Sequence, residues 1–187
     1  MSLLEARYRP HIKMAHTFWK NFLTPGDRVV DATAGNGHDL IFLAGLLQGR
    51  GLLVGYDIQL EALDACQKKI NELNKTEASI VTLKHRSHCQ INEKGLALVV
   101  YNLGYLPGAD KSLTTQVTST LLSLNAACSA LRPGGCLSIM CYPGHPEGLK
   151  ELEAILDWLE TLPADWDWQH HLFRLGSPSW LLVRKPS

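Results

Sequence analysis

The chain has 187 residues, 45% of them hydrophobic and 19% charged, the make-up of one globular domain with a full-sized core. That excludes a disordered tail, a collagen-like chain and a small disulfide-stapled scaffold. Eighteen Lys+Arg balance eighteen Asp+Glu, so no global field draws the protein onto a polyanion. A nucleic-acid partner must meet a local basic patch, such as Arg7, Arg9 and Lys13 or the Lys84, His85, Arg86 run.

Pro10 can open a helix over about 10–23, in which Ile12, Ala15, Trp19 and Phe22 share a face. Thr24-Pro25-Gly26-Asp27 breaks it as a turn. Arg28 to Ala32 reads as a short strand that leads into Gly35-Asn36-Gly37, and Asp39 to Leu47 as a helix stopped by Gly49 and Gly51. Leu52 to Ile58 is the second strand. A helix from about Leu60 to Leu73 is expected to bury Leu60, Leu63, Ile70 and Leu73. Ser79 to Leu83 gives a third strand, and Leu96 to Tyr101 a fourth whose apolar run suits burial on both faces. A loop rich in Gly, Pro and Asp leads to a helix with Val117, Leu121, Leu124 and Leu131 on one face, which Arg132-Pro133-Gly134-Gly135 should end. Cys136 to Tyr142 is the fifth strand. After Pro143 to Gly148 come a helix carrying Leu149, Leu152, Leu156 and Leu159 and two strands, about Trp166 to Phe173 and Trp180 to Arg184.

This alternation predicts an α/β fold, a single doubly wound, Rossmann-like domain over residues 1–187. Its sheet should have seven strands, mostly parallel, with an antiparallel C-terminal strand. The longest apolar stretch, Leu40 to Leu47, is too short to span a bilayer, and no secretory signal is visible, so a cytoplasmic protein without a membrane partner is expected. The five cysteines, Cys66, Cys89, Cys128, Cys136 and Cys141, are odd in number and show no C-x-x-C spacing. Reduced thiols and no metal site are expected.

The chemistry concentrates at predicted strand ends. Asp31 closes the first strand and is followed by Ala32-Thr33-Ala34-Gly35-Asn36-Gly37-His38-Asp39, with glycines where the chain must turn into a helix. Asp57 stands twenty residues after Gly37 at the end of the second strand, where a carboxylate can accept both hydroxyls of a ribose. A dinucleotide site would want a third glycine where Leu40 stands. The missing glycine and the leading Asp31 favour S-adenosylmethionine, which has no pyrophosphate to seat. After the fourth strand, Asn102-Leu103-Gly104-Tyr105-Leu106-Pro107-Gly108 offers an amide oxygen and an aromatic ring for an amine substrate.

Four colinear segments from about residue 25 to residue 150 resemble the MnmM family, earlier described as YtqB-like or rRNA methylases. They are the Asp31 to Asp39 loop, Asp57-Ile58-Gln59, Asn102 to Gly108 with Asp110-Lys111-Ser112, and Tyr142 with Gly144-His145-Pro146-Glu147-Gly148; Ser87-His88 also fits. Ala34 and Ala109 depart from the family's usual residues. The resemblance implies a Rossmann-like methyltransferase that uses S-adenosylmethionine, releases S-adenosylhomocysteine and methylates the amine of 5-aminomethyl-2-thiouridine at the tRNA wobble position.

By that resemblance Asn36 and His38 meet the methionine half of the cofactor, Asp57, Ile58 and Gln59 the ribose side, and Ser87 and His88 the adenine side. Asp31, Thr33, Gly35, Gly37 and Asn102 complete the cofactor set. Asn102, Tyr105 and His145 are the expected catalytic residues, and Leu103, Gly104, Tyr105, Pro107, Asp110, Lys111, Tyr142 and His145 the substrate-binding ones. The proton acceptor stays open among His145, Asp110 and Asp31. The expected partner is a tRNA anticodon stem-loop, and a homodimer is compatible with the sequence. Three other readings remain: an rRNA methyltransferase, a cofactor-binding subunit without activity, and an NAD-dependent oxidoreductase.

Overall fold

A computed structural model describes residues 10–104, 116–173 and 177–187. In chain order the elements are α1 (Pro10–Phe22), β1 (Arg28–Asp31), α2 (His38–Leu47), β2 (Leu52–Asp57), α3 (Leu60–Ile70), α4 (Lys75–Ala78) and β3 (Val81–His85). There follow β4 (Leu96–Asn102), α5 (Val117–Ala130), β5 (Leu131–Cys141), α6 (Pro146–Leu159), β6 (Asp167–Leu172) and β7 (Ser179–Arg184). The strands form one seven-stranded sheet in the order β3-β2-β1-β4-β5-β7-β6. The first five pair in parallel, and β7 is inserted antiparallel between β5 and β6. The expected fold class is therefore borne out. Chain progression reverses between β1 and β4, so a crevice opens beyond their carboxyl ends, where open α/β sheets bind ligands.

Alternation along the strands feeds two apolar layers. Leu98 and Val100 of β4 pack with Trp19, Leu40, Leu43, Cys66 and Ile70 on the α1–α2–α3 face. Val99 and Tyr101 point to the opposite face, with Leu124, Ala127, Ile155 and Leu159 of α5 and α6. Helix α1 is pinned by more than apolar contact: the indole N–H groups of Trp19 and Trp180 both donate to Ser138 Oγ, at 3.0 and 2.9 Å. That bond spans 119 positions in sequence and fixes α1 against β5.

Four expectations about the elements are corrected. The third helix stops at Ile70, and Leu60 is 54% exposed because it opens the helix facing solvent. A short helix α4 then intervenes, capped by Asn74, whose side chain accepts from the Glu77 N–H, and β3 starts later than expected, at Val81. Arg132-Pro133-Gly134-Gly135 does not separate helix from strand. Leu131 already pairs with Leu96, and the irregularity is absorbed before Cys136 pairs with Leu98.

The buried faces of the last two helices are also rotated. On α5 the chain buries Thr120 and Ser123 beside Leu124, because Glu151 accepts from Thr120 (2.6 Å) and Tyr101 Oη meets Ser123 Oγ (2.8 Å). On α6 Glu151, Leu152, Ile155 and Trp158 face inward, and Leu149 is left exposed. Polar pairs that satisfy each other across helices are invisible to a pattern of apolar spacing. All five cysteines are free. Burial pushes the thiols of Cys66, Cys128 and Cys136 up to about 12, so none of these three is a nucleophile at neutral pH. Among the described residues no helix is long and apolar enough to cross a membrane.

Candidate cofactor and substrate site

The turn from β1 into α2 needs its glycine at position 37. The Gly37 backbone has φ 76°, and a Cβ there would stand 3.0 Å from Cys66 Sγ and 3.2 Å from Cys66 Cα. Gly37 has no side chain with which to cap α2, so the first backbone N–H groups of the helix are left uncapped by it. Asp57, at the end of β2, ties the neighbouring loops together. Its Oδ2 accepts from the Gly35 N–H (2.8 Å) and its Oδ1 from the Gln59 N–H (2.9 Å). Each of those oxygens keeps a lone pair for a ligand hydroxyl.

Asp31 is enclosed behind this turn, 1% exposed. Its Oδ1 accepts from the Thr33 N–H at 3.2 Å, and its Oδ2 is buried with no hydrogen-bond partner. Burial first, then the charges of Asp39 and Asp57, hold its carboxyl well above the ordinary carboxylate range. A third strand end joins the same cluster. The Asn102 N–H donates to Thr33 Oγ1 (2.7 Å), and Asn102 Nδ2 donates to Asp39 Oδ2 (2.8 Å). The other Asp39 oxygen lies 2.6 Å from His16 Nε2 on α1, and the His16 ring stacks on Phe42 with centroids 4.0 Å apart. Thus β1, β2 and β4 bring Asp31, Thr33, Gly35, Gly37, Asp57 and Asn102 together.

The remaining expected residues are placed less uniformly. Ile58 is 55% exposed beside Asp57, an apolar surface available to a flat ring. His38 is exposed at the start of α2 and lies 3.1 Å from Lys69 Nζ, while Asn36 is half-buried in the turn. Ser87 caps a short turn, His88–Gln90, by accepting from the Cys89 N–H. His88 itself is buried edge-on against Tyr101, and burial lowers its pKa to about 4, so its ring is neutral. The Leu103 side chain is buried in the core, which leaves only its backbone to meet a ligand.

Tyr142 lies beside Gly104: a Cβ added to Gly104 would be 3.9 Å from Tyr142 Cδ2. His145 caps α6, its Nδ1 accepting from the Gly148 N–H at 3.1 Å. Gly148 is required there, since a Cβ would fall 2.2 Å from the Tyr142 carbonyl oxygen. Tyr105, Pro107, Asp110 and Lys111 lie outside the described residues, as do Arg7 and Arg9. The second basic run loses Lys84, whose ammonium is held by Glu93 at 2.6 Å and by Tyr56 Oη at 3.1 Å. Sequence reading gave Asp39 and His16 no role. The one signal for His16 was a polar residue next to Ala15 and one helical turn before Trp19, on the side of α1 that is buried.

A glycine turn after β1, a carboxylate closing β2 and a switch point between β1 and β4 belong to the fold of a Rossmann-like methyltransferase. The chain belongs to the family described as "Putative rRNA methylase", which matches residues 53–175. It is 34% identical over 166 residues to a chloroplastic tRNA (mnm(5)s(2)U34)-methyltransferase of Arabidopsis thaliana, covering 82% of this chain and 61% of that protein. The chain thus spans about three fifths of that relative's length. A solved protein from Clostridium thermocellum, with the same description as the family, is 33% identical with a TM-score of 0.87, covering 94% of this chain and 97% of its own. A methyltransferase-described protein from Streptococcus mutans, solved in complex with SAH, is 30% identical with a TM-score of 0.81, covering 96% and 99%. The resemblance read from the motifs is borne out.

Proposed function

We propose that this protein methylates the amine of 5-aminomethyl-2-thiouridine at the tRNA wobble position, using S-adenosylmethionine and giving 5-methylaminomethyl-2-thiouridine and S-adenosylhomocysteine. The observation that carries the reading is the junction of Asp57, Asp31 and Asn102 at one crevice, a carboxylate-rich cofactor cleft adjoining an amide suited to an amine. The name of the Arabidopsis relative supports the nucleoside, and the SAH bound by the S. mutans protein supports the cofactor.

The residues present fit this cofactor better than a dinucleotide. Asp31 Oδ2 is buried without a partner, near the charges of Asp39 and Asp57, so a cation is favoured and a pyrophosphate repelled. In this reading Asp57 holds the ribose with Gln59 beside it, Ile58 covers the adenine, and Asn36, Gly37 and His38 line the methionine half. S-adenosylmethionine, when bound, supplies a methyl group on a positively charged sulfur.

The chain's own task is to present the acceptor. An aminomethyl group resembles lysine, with a pKa of about 10, and is mostly protonated at neutral pH. Asn102 Oδ1 accepts from the amine N–H, fixing the direction of the nitrogen lone pair. Because His145 Nδ1 already accepts from Gly148, His145 holds substrate in this reading and the proton passes to Asp31, Asp110 or water. The RNA, an anticodon stem-loop, lies along the exposed side of α1, where Lys13 and Lys20 border a groove floored by Ile12, His16 and Phe42.

The test is incubation of the protein with labelled S-adenosylmethionine and an equal mixture of tRNA and rRNA that lack the modification. Label in tRNA alone is the expected result. Label in rRNA alone would establish the reading that the family's description suggests, and no label in either would leave a cofactor-binding subunit without activity.

A further inference from the structure

Asn102 is held at two points. Its backbone N–H is fixed by Thr33 Oγ1, and its side-chain nitrogen by Asp39 Oδ2. The two ends of an asparagine amide have nearly the same shape, so packing alone does not decide which faces the substrate. An ionised carboxylate accepts hydrogen bonds and donates none, so it selects the NH2 end. The carboxylate is itself fixed, because its second oxygen meets His16 Nε2 at 2.6 Å and the His16 ring is stacked on Phe42. His16 in turn sits on α1, which Trp19 fastens to Ser138 of β5.

We propose that Asp39, held by His16, is a positioning residue for the methyl acceptor: its carboxylate claims the amide nitrogen of Asn102 and turns Asn102 Oδ1 toward the amine. The inference rests on the methyl-transfer reading above. It also gives α1 a part in the site, although α1 precedes every strand of the sheet. A merely structural Asp39 would serve the first turn of α2, where an acidic side chain favours the helix dipole. That role would not depend on which end of Asn102 is presented.

Two substitutions separate the roles. Asp39→Asn keeps a hydrogen bond to Asn102, but its amide can present either end, so Asn102 Oδ1 faces the amine only about half of the time. Asp39→Ala removes that bond. Expected for Asp39→Ala is a kcat about 10- to 100-fold lower on tRNA bearing the aminomethyl group, the range of a misplaced acceptor. Both variants lose the same charge, so calorimetric affinity for S-adenosylmethionine should fall equally in the two, while at saturating cofactor Asp39→Asn should keep kcat within about threefold of wild type. Wild-type kcat in Asp39→Ala, or equal losses of kcat in both variants, would overturn the inference. If Asp39→Ala does not fold, NMR of the wild type decides. Slowly exchanging Asn102 side-chain amide protons would support the proposal, and protons exchanging as fast as in an exposed asparagine would overturn it. A wild type inactive on this tRNA would overturn the underlying reading, whereas an active wild type matched by Asp39→Ala overturns this inference alone.

Discussion

Asp31 Oδ2 has no hydrogen-bond partner although the side chain is sealed from solvent, and two further carboxylates raise its pKa beyond what burial does. Its proton is lost at lower pH in the unfolded chain than in the native one. As pH rises from about 4 through the native pKa, the native state is therefore progressively destabilised by this group. A cation bound in the cleft favours the ionised form, so cofactor affinity should fall as pH drops through that same native pKa. Asp31→Asn removes the charge but keeps an acceptor for the Thr33 N–H. We expect it to raise the melting temperature of the ligand-free protein by a few degrees at pH 7 and to weaken S-adenosylmethionine binding, by calorimetry, about tenfold or more. An unchanged melting temperature with unchanged affinity would contradict the role given to Asp31. At this scale much was legible in the sequence. Asp31, Asp57 and Asn102 stand at strand ends and Gly37 at the start of the next helix, and both kinds of boundary are marked in the order of the chain. His16 and Asp39 were not legible as a pair, because they lie 23 positions apart on different helices and meet only through the packing of α1.

The pairing of β2 with β3 is reinforced from within. Glu93, in the loop before β4, accepts from Lys84 Nζ of β3 at 2.6 Å and from Tyr56 Oη of β2 at 2.9 Å. Burial pushes the Glu93 carboxyl up, but the Lys84 and Tyr56 hydrogen bonds and the backbone bond outweigh it, and its pKa is below the ordinary value. Its contribution is present at neutral pH and is lost as pH falls through that lowered pKa. Lys84→Met leaves Glu93 buried without its cation and should cost about 3 kcal/mol at pH 7 in urea unfolding, with a smaller loss near pH 3. A constant cost at both pH values would show that the lysine acts through its stem alone. The central strands, β4 above all with its run Leu96 to Tyr101, and the main helices were readable from their apolar runs. The inward faces of α5 and α6 were not, since Thr120 and Glu151 are buried by bonding each other, and Ser123 by bonding Tyr101, rather than by being apolar. Likewise Arg132 to Gly135 read as a stop, yet the pairing of Leu131 with Leu96 begins the strand before it.

Taken whole, the molecule places the described loops after β1, β2 and β4 on the carboxyl side of one sheet, while α1 lies over the same end through His16 and against β5 through Trp19. Zero net charge means that the proposed RNA binding would need a local patch, and in that reading Lys13 and Lys20 on the exposed side of α1 supply it. Replacing both with Ala should weaken tRNA binding and flatten its dependence on log salt by about one to two units, measured by filter binding across a salt series. A wild-type slope in that variant would place the phosphate contacts elsewhere. The central claim is the chemistry at the wobble nucleoside, and it is tested most directly by mass analysis of nucleosides from tRNA carrying 5-aminomethyl-2-thiouridine, before and after incubation with the protein and S-adenosylmethionine. The account predicts that this nucleoside disappears and its monomethylated form, heavier by one CH2, takes its place in equal amount. An unchanged 5-aminomethyl-2-thiouridine peak, in a protein shown by calorimetry to bind the cofactor, would contradict it.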